Sequence, residues 1–318
     1  MMILAILPCA LFCTREVPYV QEGTLDMLIL NAQIDASERS HKAWIGVSKT
    51  STIEKLDNAT LVCSVNGKTV SQGVFDEVLS KNSVQSCYLF DAKLLPGDVV
   101  RLSVRGRELS AYAEVVVPDS TGQLIAVDTL SKDSAMHFTA HIKDEDPKRN
   151  YYRIALKAKV RQSYYDGSSW SPWYERSEER TIIHSNDPIL NERIGGSLGD
   201  DFYGIGSNTN HYCVFTDKLF PGSDAKIAFT VTDRELRKIY ADRDYVSLKA
   251  ICEASVSLVS MGQSEYEYLG VQNILYDNDY DGSDMLEPVT VPTNVIDGIG
   301  FVGVYMPSSL LIGTVFVL

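Results

Sequence analysis

The chain is short of positive charge. Its 318 residues hold 29 Lys and Arg against 42 Asp and Glu, a formal net charge of −13. A protein that grips a phosphate backbone needs clustered positive charge, so this balance argues against a nucleic-acid partner. Histidines number five, and the six cysteines include no Cys-x-x-Cys pair, so the usual zinc spacing is missing. We read no phosphate loop, dinucleotide-binding turn or serine nucleophile elbow in the chain. Long apolar runs are also scarce. Ile3 to Phe12 is too short for a bilayer span, which takes about 20 helical residues. Gly298 to Leu318 carries no charge, but Pro307-Ser308-Ser309 interrupts it and Gly300, Gly303 and Gly313 surround the break. Two buried strands joined by a turn are expected there rather than a span. Global disorder is ruled out by the 45% of hydrophobic residues, which is enough for a sizeable core.

The apolar run from Ile3 to Phe12 ends at Cys13, and polar Thr14-Arg15-Glu16 follows. That arrangement reads as a secretion signal of the lipoprotein type, cleaved before Cys13 and acylated on it. Residues 1–23 are therefore expected to be signal peptide and tether.

Beyond the leader, strand patterns dominate. Tyr152, Ile154, Leu156, Ala158 and Val160 alternate with Arg153, Lys157, Lys159 and Arg161. Val246 to Leu258 alternates in the same way, and so does Val99 to Val104. Period two with one polar face marks antiparallel sheet with one side in water. Asn66-Gly67, Pro96-Gly97, Asp166-Gly167 and Pro221-Gly222 punctuate the runs as turns. One helix is expected from about Ser264 to Ile274, and a second, short one near Arg234 to Tyr240, capped by Thr232 or Asp233. Pro118 to Gly122 is the best boundary. The expected fold is all-β: an N-terminal β-sandwich over 24–118, then a C-terminal β-sandwich over 119–318 with one or two short helices. Leu190 to Ser207, with five glycines, reads as a long exposed loop.

Several constellations could carry function. Tyr164, Tyr165, Trp170, Trp173 and Tyr174 crowd one hairpin around Asp166 to Ser169. Flat amphipathic rings suit sugar faces and partner surfaces, at a low entropy cost. The same rings could instead form a structural ladder with Arg161, Arg176 and Arg180. Asp277, Asp279 and Asp281, followed by Gly282, have the alternate spacing of a calcium loop. The twelfth position is Pro288 rather than a bidentate acid, so a solvated acidic loop competes with calcium. His137 and His141 would lie on one face of a strand but about 13 Å apart, too far for one metal. Cys63, Cys87, Cys213 and Cys252 fit either one disulfide per domain or buried free thiols.

Taken in order along the chain, a further set of segments forms a pattern. It begins with Leu25 to Asp35, Asn58 to Gly67, Leu95-Pro96-Gly97-Asp98 to Leu102 and Val115-Val116-Val117-Pro118. Asn150 to Ile154, Val214 to Gly222 and Tyr266-Glu267-Tyr268-Leu269 follow. Glu287-Pro288-Val289 and Thr293-Asn294 through Gly298-Ile299-Gly300-Phe301-Val302-Gly303 close it. These resemble the Bacteroidota lipoprotein family known as domain of unknown function 4249, and the closing block is the most specific part. The resemblance implies a secreted lipoprotein, usually of the outer membrane, encoded beside TonB-dependent receptors. It also implies a first half resembling the prealbumin-like or carboxypeptidase-regulatory sandwich, a prealbumin/immunoglobulin-like fold. It carries over no catalytic residue. The resulting expectation is a non-enzymatic, lipid-anchored surface or periplasmic protein that helps a TonB-dependent receptor capture or take up ligand. Two alternatives stand beside it. One is a surface hydrolase whose carboxylates converge only in the fold. The other is a structural or adhesion subunit that adds strands at sheet edges. No cofactor is expected other than calcium at the acidic loop.

Overall fold

The computed structural model describes residues 26–49, 52–119, 122–180, 182, 185, 187–191, 210–237, 247–277 and 291–317. About 60% of the described residues are strand and 10% helix, which makes the fold all-β with sandwich-like packing. The first nine strands are β1 (Met27–Asp35), β2 (Ser40–Ser48), β3 (Ile53–Lys55), β4 (Thr60–Val65), β5 (Lys68–Gln72), β6 (Val74–Asp76), β7 (Ser86–Asp91), β8 (Val99–Gly106) and β9 (Leu109–Val116). Next come β10 (Gly122–Lys132), β11 (Ala135–Asp144), β12 (Tyr151–Tyr165), β13 (Tyr174–Arg180), β14 (Val214–Thr216), β15 (Ala225–Thr232) and β16 (Ser247–Met261). The last three are β17 (Val295–Ile296), β18 (Gly298–Ile299) and β19 (Val302–Val317).

One 11-stranded sheet runs through both halves in the order β13-β12-β16-β19-β1-β2-β7-β6, with β14, β18 and β3 on side pairings. A five-stranded sheet, β17-β9-β8-β4-β5, packs on its N-terminal half. Leu28, Leu30, Ile45, Tyr88, Leu61 and Leu102 fill the space between these two sheets. A three-stranded sheet, β10-β11-β15, packs on the other half over Phe138, Tyr152, Leu156, Phe229, Val256 and Leu258. Period-two alternation is what makes this possible, because each strand offers one apolar row to its core and one polar row to water.

The expected helices are present. Helix α3 spans Gln263–Asp277 and covers a third, smaller apolar cluster of Ala155, Val214, Val259 and Met261 on the other face of the large sheet. Helix α2 (Asp233–Arg237) starts where expected, and the Thr232 Oγ1 caps it by accepting the Glu235 backbone N–H at 3.2 Å. A four-residue helix α1 (Glu77–Ser80), capped by Asp76, was not anticipated.

The chain's last strand differs from the expectation of two strands joined by a turn. β19 is one continuous strand of 16 residues that passes through Pro307-Ser308-Ser309. Residues 302–305 pair in parallel with β1, and residues 305–317 pair antiparallel with β16. Pro307 falls just past the end of the β1 pairing, where that side of the strand is no longer bonded to β1. A missing N–H is tolerated there. Segment 295–304 therefore serves the N-terminal sandwich, although a cut at 118/119 alone would place it in the C-terminal one. Val295, Val302 and Val304 sit in the N-terminal core. Cys63, Cys87, Cys213 and Cys252 are all buried free thiols, so the disulfide alternative falls away for these four. Burial pushes Cys63 up to about 11 and Cys213 up to about 12, which keeps both thiols protonated and inert.

Candidate functional site: an exposed aromatic hairpin

Strands β12 and β13 pair from Leu156↔Arg180 to Gln162↔Tyr174, and the chain between them forms the hairpin's end. Three bonds fasten its stem. The Ser171 N–H donates to the Tyr164 carbonyl at 2.8 Å, the Tyr164 N–H to Ser171 Oγ at 3.1 Å, and Ser163 Oγ to the Ser171 carbonyl at 2.7 Å. At the tip the Asp166 carboxylate accepts from the backbone N–H of Ser169 and of Ser168 and from the Ser168 hydroxyl, at 2.9, 2.8 and 2.7 Å. Those donors hold its carboxyl down at about 2. Gly167 sits at φ 101° in this turn.

This frame brings the five aromatic residues onto one hairpin, as the spacing suggested. Tyr164 and Tyr174 stack with centroids 5.4 Å apart, and Tyr165 meets Trp170 at 5.6 Å. Lys249 Nζ lies 4.2 Å from the centre of the Trp170 ring. The cation over Trp170 is therefore this lysine from β16. Among the arginines expected to form a ladder, Arg161 reaches Glu253 at 3.8 Å, and Arg176 and Arg180 reach Glu178 at 2.8 and 3.3 Å. Even so packed, Trp170 is 40% exposed, Trp173 53% and Tyr174 48%. Large aromatic faces left half in water on one hairpin are unusual, because their burial is the strongest hydrophobic gain a side chain offers.

Among the described residues, β13 is the edge of the large sheet. β13 carries Glu175, Arg176, Glu178, Glu179 and Arg180, in ion pairs such as Arg153–Glu179 at 2.7 Å and Lys159–Glu175 at 3.0 Å. A charged edge resists pairing with a foreign strand. That disfavours strand addition at this edge.

Other candidates fall differently. Asp144 and Asp217 are buried and both turn toward the Asn150 amide nitrogen, at 3.5 and 3.0 Å. Burial pushes Asp217 up, against the hydrogen bonds from Asn150. Here the convergence of two carboxylates pins the 144–150 loop to the turn at 217. His137 lies 3.1 Å from the Thr230 hydroxyl and His141 lies 2.7 Å from Asp128, so the two histidines serve separate partners. No group of three metal-ligating side chains occurs among the described residues. Asp277 ends α3, while Asp279 and Asp281 lie outside the described residues, as do Cys13 and most of the Leu190 to Ser207 loop.

Glu265 is a titratable group that sequence reasoning missed. It sits in the first turn of α3 at 3% exposure, against the backbone of β19. A side chain on Gly303 would meet its carboxyl carbon at 2.8 Å. One carboxyl oxygen has no hydrogen-bond partner. Desolvation pushes its carboxyl up to about 7, although Arg153 and the Val304 N–H pull the other way. Nothing in the sequence marks Glu265, because its burial depends on β19 passing beneath it.

Two strings also carry the bare spacing of motifs that the sequence reading passed over. Gly195-Gly196-Ser197-Leu198-Gly199 has Gly-x-Ser-x-Gly spacing and lies outside the described residues. Gly298-Ile299-Gly300-Phe301-Val302-Gly303 has the Gly-x-Gly-x-x-Gly spacing of a dinucleotide fingerprint. A fingerprint needs a strand, a turn and then a helix. Here strand β19 follows the turn, and each glycine has a packing reason. Gly298 abuts the Leu28 carbonyl, Gly300 at φ 114° abuts the Leu30 carbonyl, and Gly303 makes room for Glu265. The string is a docking clasp. Asn294 brackets Val302, accepting its N–H at 2.9 Å and donating to its carbonyl at 2.7 Å, and the Asn31 side chain accepts the Phe301 N–H at 2.9 Å.

The fold and this hairpin thus define an all-β, two-sandwich protein whose most distinctive surface is a ring cluster rather than a pocketed acid pair. The chain belongs to the family described as Domain of unknown function (DUF4249), whose model matches residues 14–310. No curated protein matches it. Among solved structures it is similar to a DUF4785 family protein from Legionella pneumophila, at 10% identity and a TM-score of 0.21. That likeness covers 73% of this chain, which spans about half, 51%, of the other. It carries no argument.

Proposed function

We propose that this protein is a lipid-anchored outer-membrane accessory, tethered through Cys13, that presents the Trp170/Trp173 hairpin to a ligand or partner of a TonB-dependent receptor. The observation that carries the reading is the set of half-exposed aromatic rings held on a fastened hairpin. Rigid aromatic rings on a fixed frame bind partners with little entropy to lose. The apolar leader ending in Cys13 supports the tether, and the receptor as company is what the family resemblance implies. The charged β13 edge supports recognition by side chains over recognition by strand addition.

The test is capture of the tagged full chain from mildly solubilised native outer membranes, followed by mass spectrometry. Recovery of a TonB-dependent barrel in near-equal amount is expected, with loss of that barrel in the Trp170→Ala, Trp173→Ala double variant. Recovery of the lipoprotein alone would overturn the accessory role. Undiminished capture by a folded double variant would overturn the hairpin's part in it. A Cys13→Ala variant is expected to leave the membrane fraction.

A further inference from the structure

The outward face of the five-stranded sheet carries a groove of about 430 Å³ lined by Thr60, Arg101, Ser103, Arg105, Ser110 and Tyr112, with Val62 between them. That volume lies within the ordinary range for small-molecule sites, about 300–1,000 Å³. The pairing register explains how the groove is built. Ser103 stands opposite Tyr112 and Val62, and Arg105 stands opposite Ser110 and Thr60. Alternation puts all of these on the face turned away from the core, because Leu102, Val104, Ala111 and Ala113 point inward.

Two features bear on what this groove can hold. In a chain of net charge −13 it presents two guanidinium groups, and neither forms an ion pair with a carboxylate among the described residues. Glu114 stands opposite Arg101 in the register but makes no ion pair with it. The second feature is that one guanidinium is already positioned. The Arg101 guanidinium carbon lies over the Tyr112 ring, 3.8 Å from its centre, and its Nε reaches toward Ser103 Oγ at 3.4 Å. That cation–π contact holds the group over the ring and leaves its outer N–H donors for an anion. Three hydroxyl side chains and an aromatic ring complete the lining. They suit a ligand that is itself hydroxylated and has a flat, partly apolar face. Charges beyond a screening length of about 8 Å are largely damped, so a small anionic ligand here feels mainly the two arginines.

We propose that this groove binds a small acidic sugar, a hydroxylated ring bearing a carboxylate or a phosphate, with Arg105 and the Tyr112-stacked Arg101 as its anion partners. It goes beyond the function proposed above, because it lies on the other sandwich and uses none of the hairpin's residues. It can therefore stand or fall independently of that function.

The test is calorimetric titration of the full chain with four probes: digalacturonate, glucose 6-phosphate, neutral lactose, and citrate as an acid without a ring. Binding of digalacturonate or glucose 6-phosphate, but not of lactose or citrate, is expected. Whichever of the two binds identifies the charged group as carboxylate or phosphate. Arg105→Ala is expected to weaken binding about tenfold or more, the usual cost of one charge-assisted bond. Raising NaCl from about 0.05 to about 0.5 M should weaken it too. Arg105 is exposed, so the variant should fold, and an unchanged thermal midpoint checks this. Arg105→Gln gives a second variant of similar shape. The proposal is overturned if neither acidic sugar binds, if lactose or citrate binds as well as they do, or if both Arg105 variants bind undiminished.

Discussion

In the closing segment at 291–305, Gly300 and Phe301 lie against β1, Asn294 bonds back to Val302, and Phe301 stacks on Tyr268 at 4.1 Å. In the hairpin at 163–174, Trp170, Trp173 and Tyr174 are turned outward into water. Both stretches hold uncommon residues at tight spacing. The difference lies in where their hydrogen bonds go. In the closing segment, Thr293 and Asn294 bond back to Gly300 and Val302 and hold the turn that β1 grips through the Asn31 side chain and the Ala32 N–H, so these bonds stabilise the fold. The hairpin's polar side chains bond only within the hairpin, so they support the rings without burying them. The closing block is therefore a structural clasp between β19 and β1.

Substitutions should separate these roles, and the clasp should suffer most. Gly300→Ala puts a side chain into the Leu30 carbonyl at a φ that disfavours any Cβ. A loss of about 4 kcal/mol or more is expected, read as a large fall in the urea midpoint. A midpoint within error of the parent protein would break the comparison. Asn294→Ala leaves the Val302 N–H and carbonyl without their partner and should cost about 2–3 kcal/mol by the same measurement.

The pH dependence of stability tests the clasp from its other side. The unfolded chain releases the Glu265 proton near 4.5 and the folded chain near 7, so the folded state holds the extra proton between those values. This group's contribution is fully present below pH 4.5 and is lost as pH rises through about 7. Glu265→Gln should remove that decline and raise stability at pH 8, by on the order of 2 kcal/mol. Parallel pH profiles for the variant and the parent would rule it out. Trp173→Ala should do least to the fold, a change within about 0.5 kcal/mol, because the ring is already half in water. A large destabilisation there would make the hairpin structural too, and would sharpen the comparison in the opposite direction.

Much of the fold was legible from the sequence. Alternation placed β8, β12 and β16, Asn66-Gly67 gave the β4–β5 hairpin with both residues at positive φ, and Thr232 marked the start of α2. Other turns escaped because their chemistry is atypical. Arg107-Glu108 and Asp133-Ser134 adopt positive φ without glycine, held by the strands on either side. The aromatic hairpin was visible as a cluster. Its partner cation was not, since Lys249 is 79 residues away from Trp170. The arginine groove was invisible for a similar reason: Thr60, Arg101 and Tyr112 are scattered along the chain and meet only through the register of β4, β8 and β9.

The division of labour has a simple physical origin. Local patterns determined strand identity, the face each side chain takes and the chemistry of the commonest turns, because these depend on neighbours one to four residues apart. The tertiary structure alone decided that β19 runs straight through Pro307 to join both halves, that Glu265 is buried, and that two arginines share a groove. Each depends on which distant strand lies alongside, and that is chosen by the burial of whole apolar faces rather than by any short stretch of sequence.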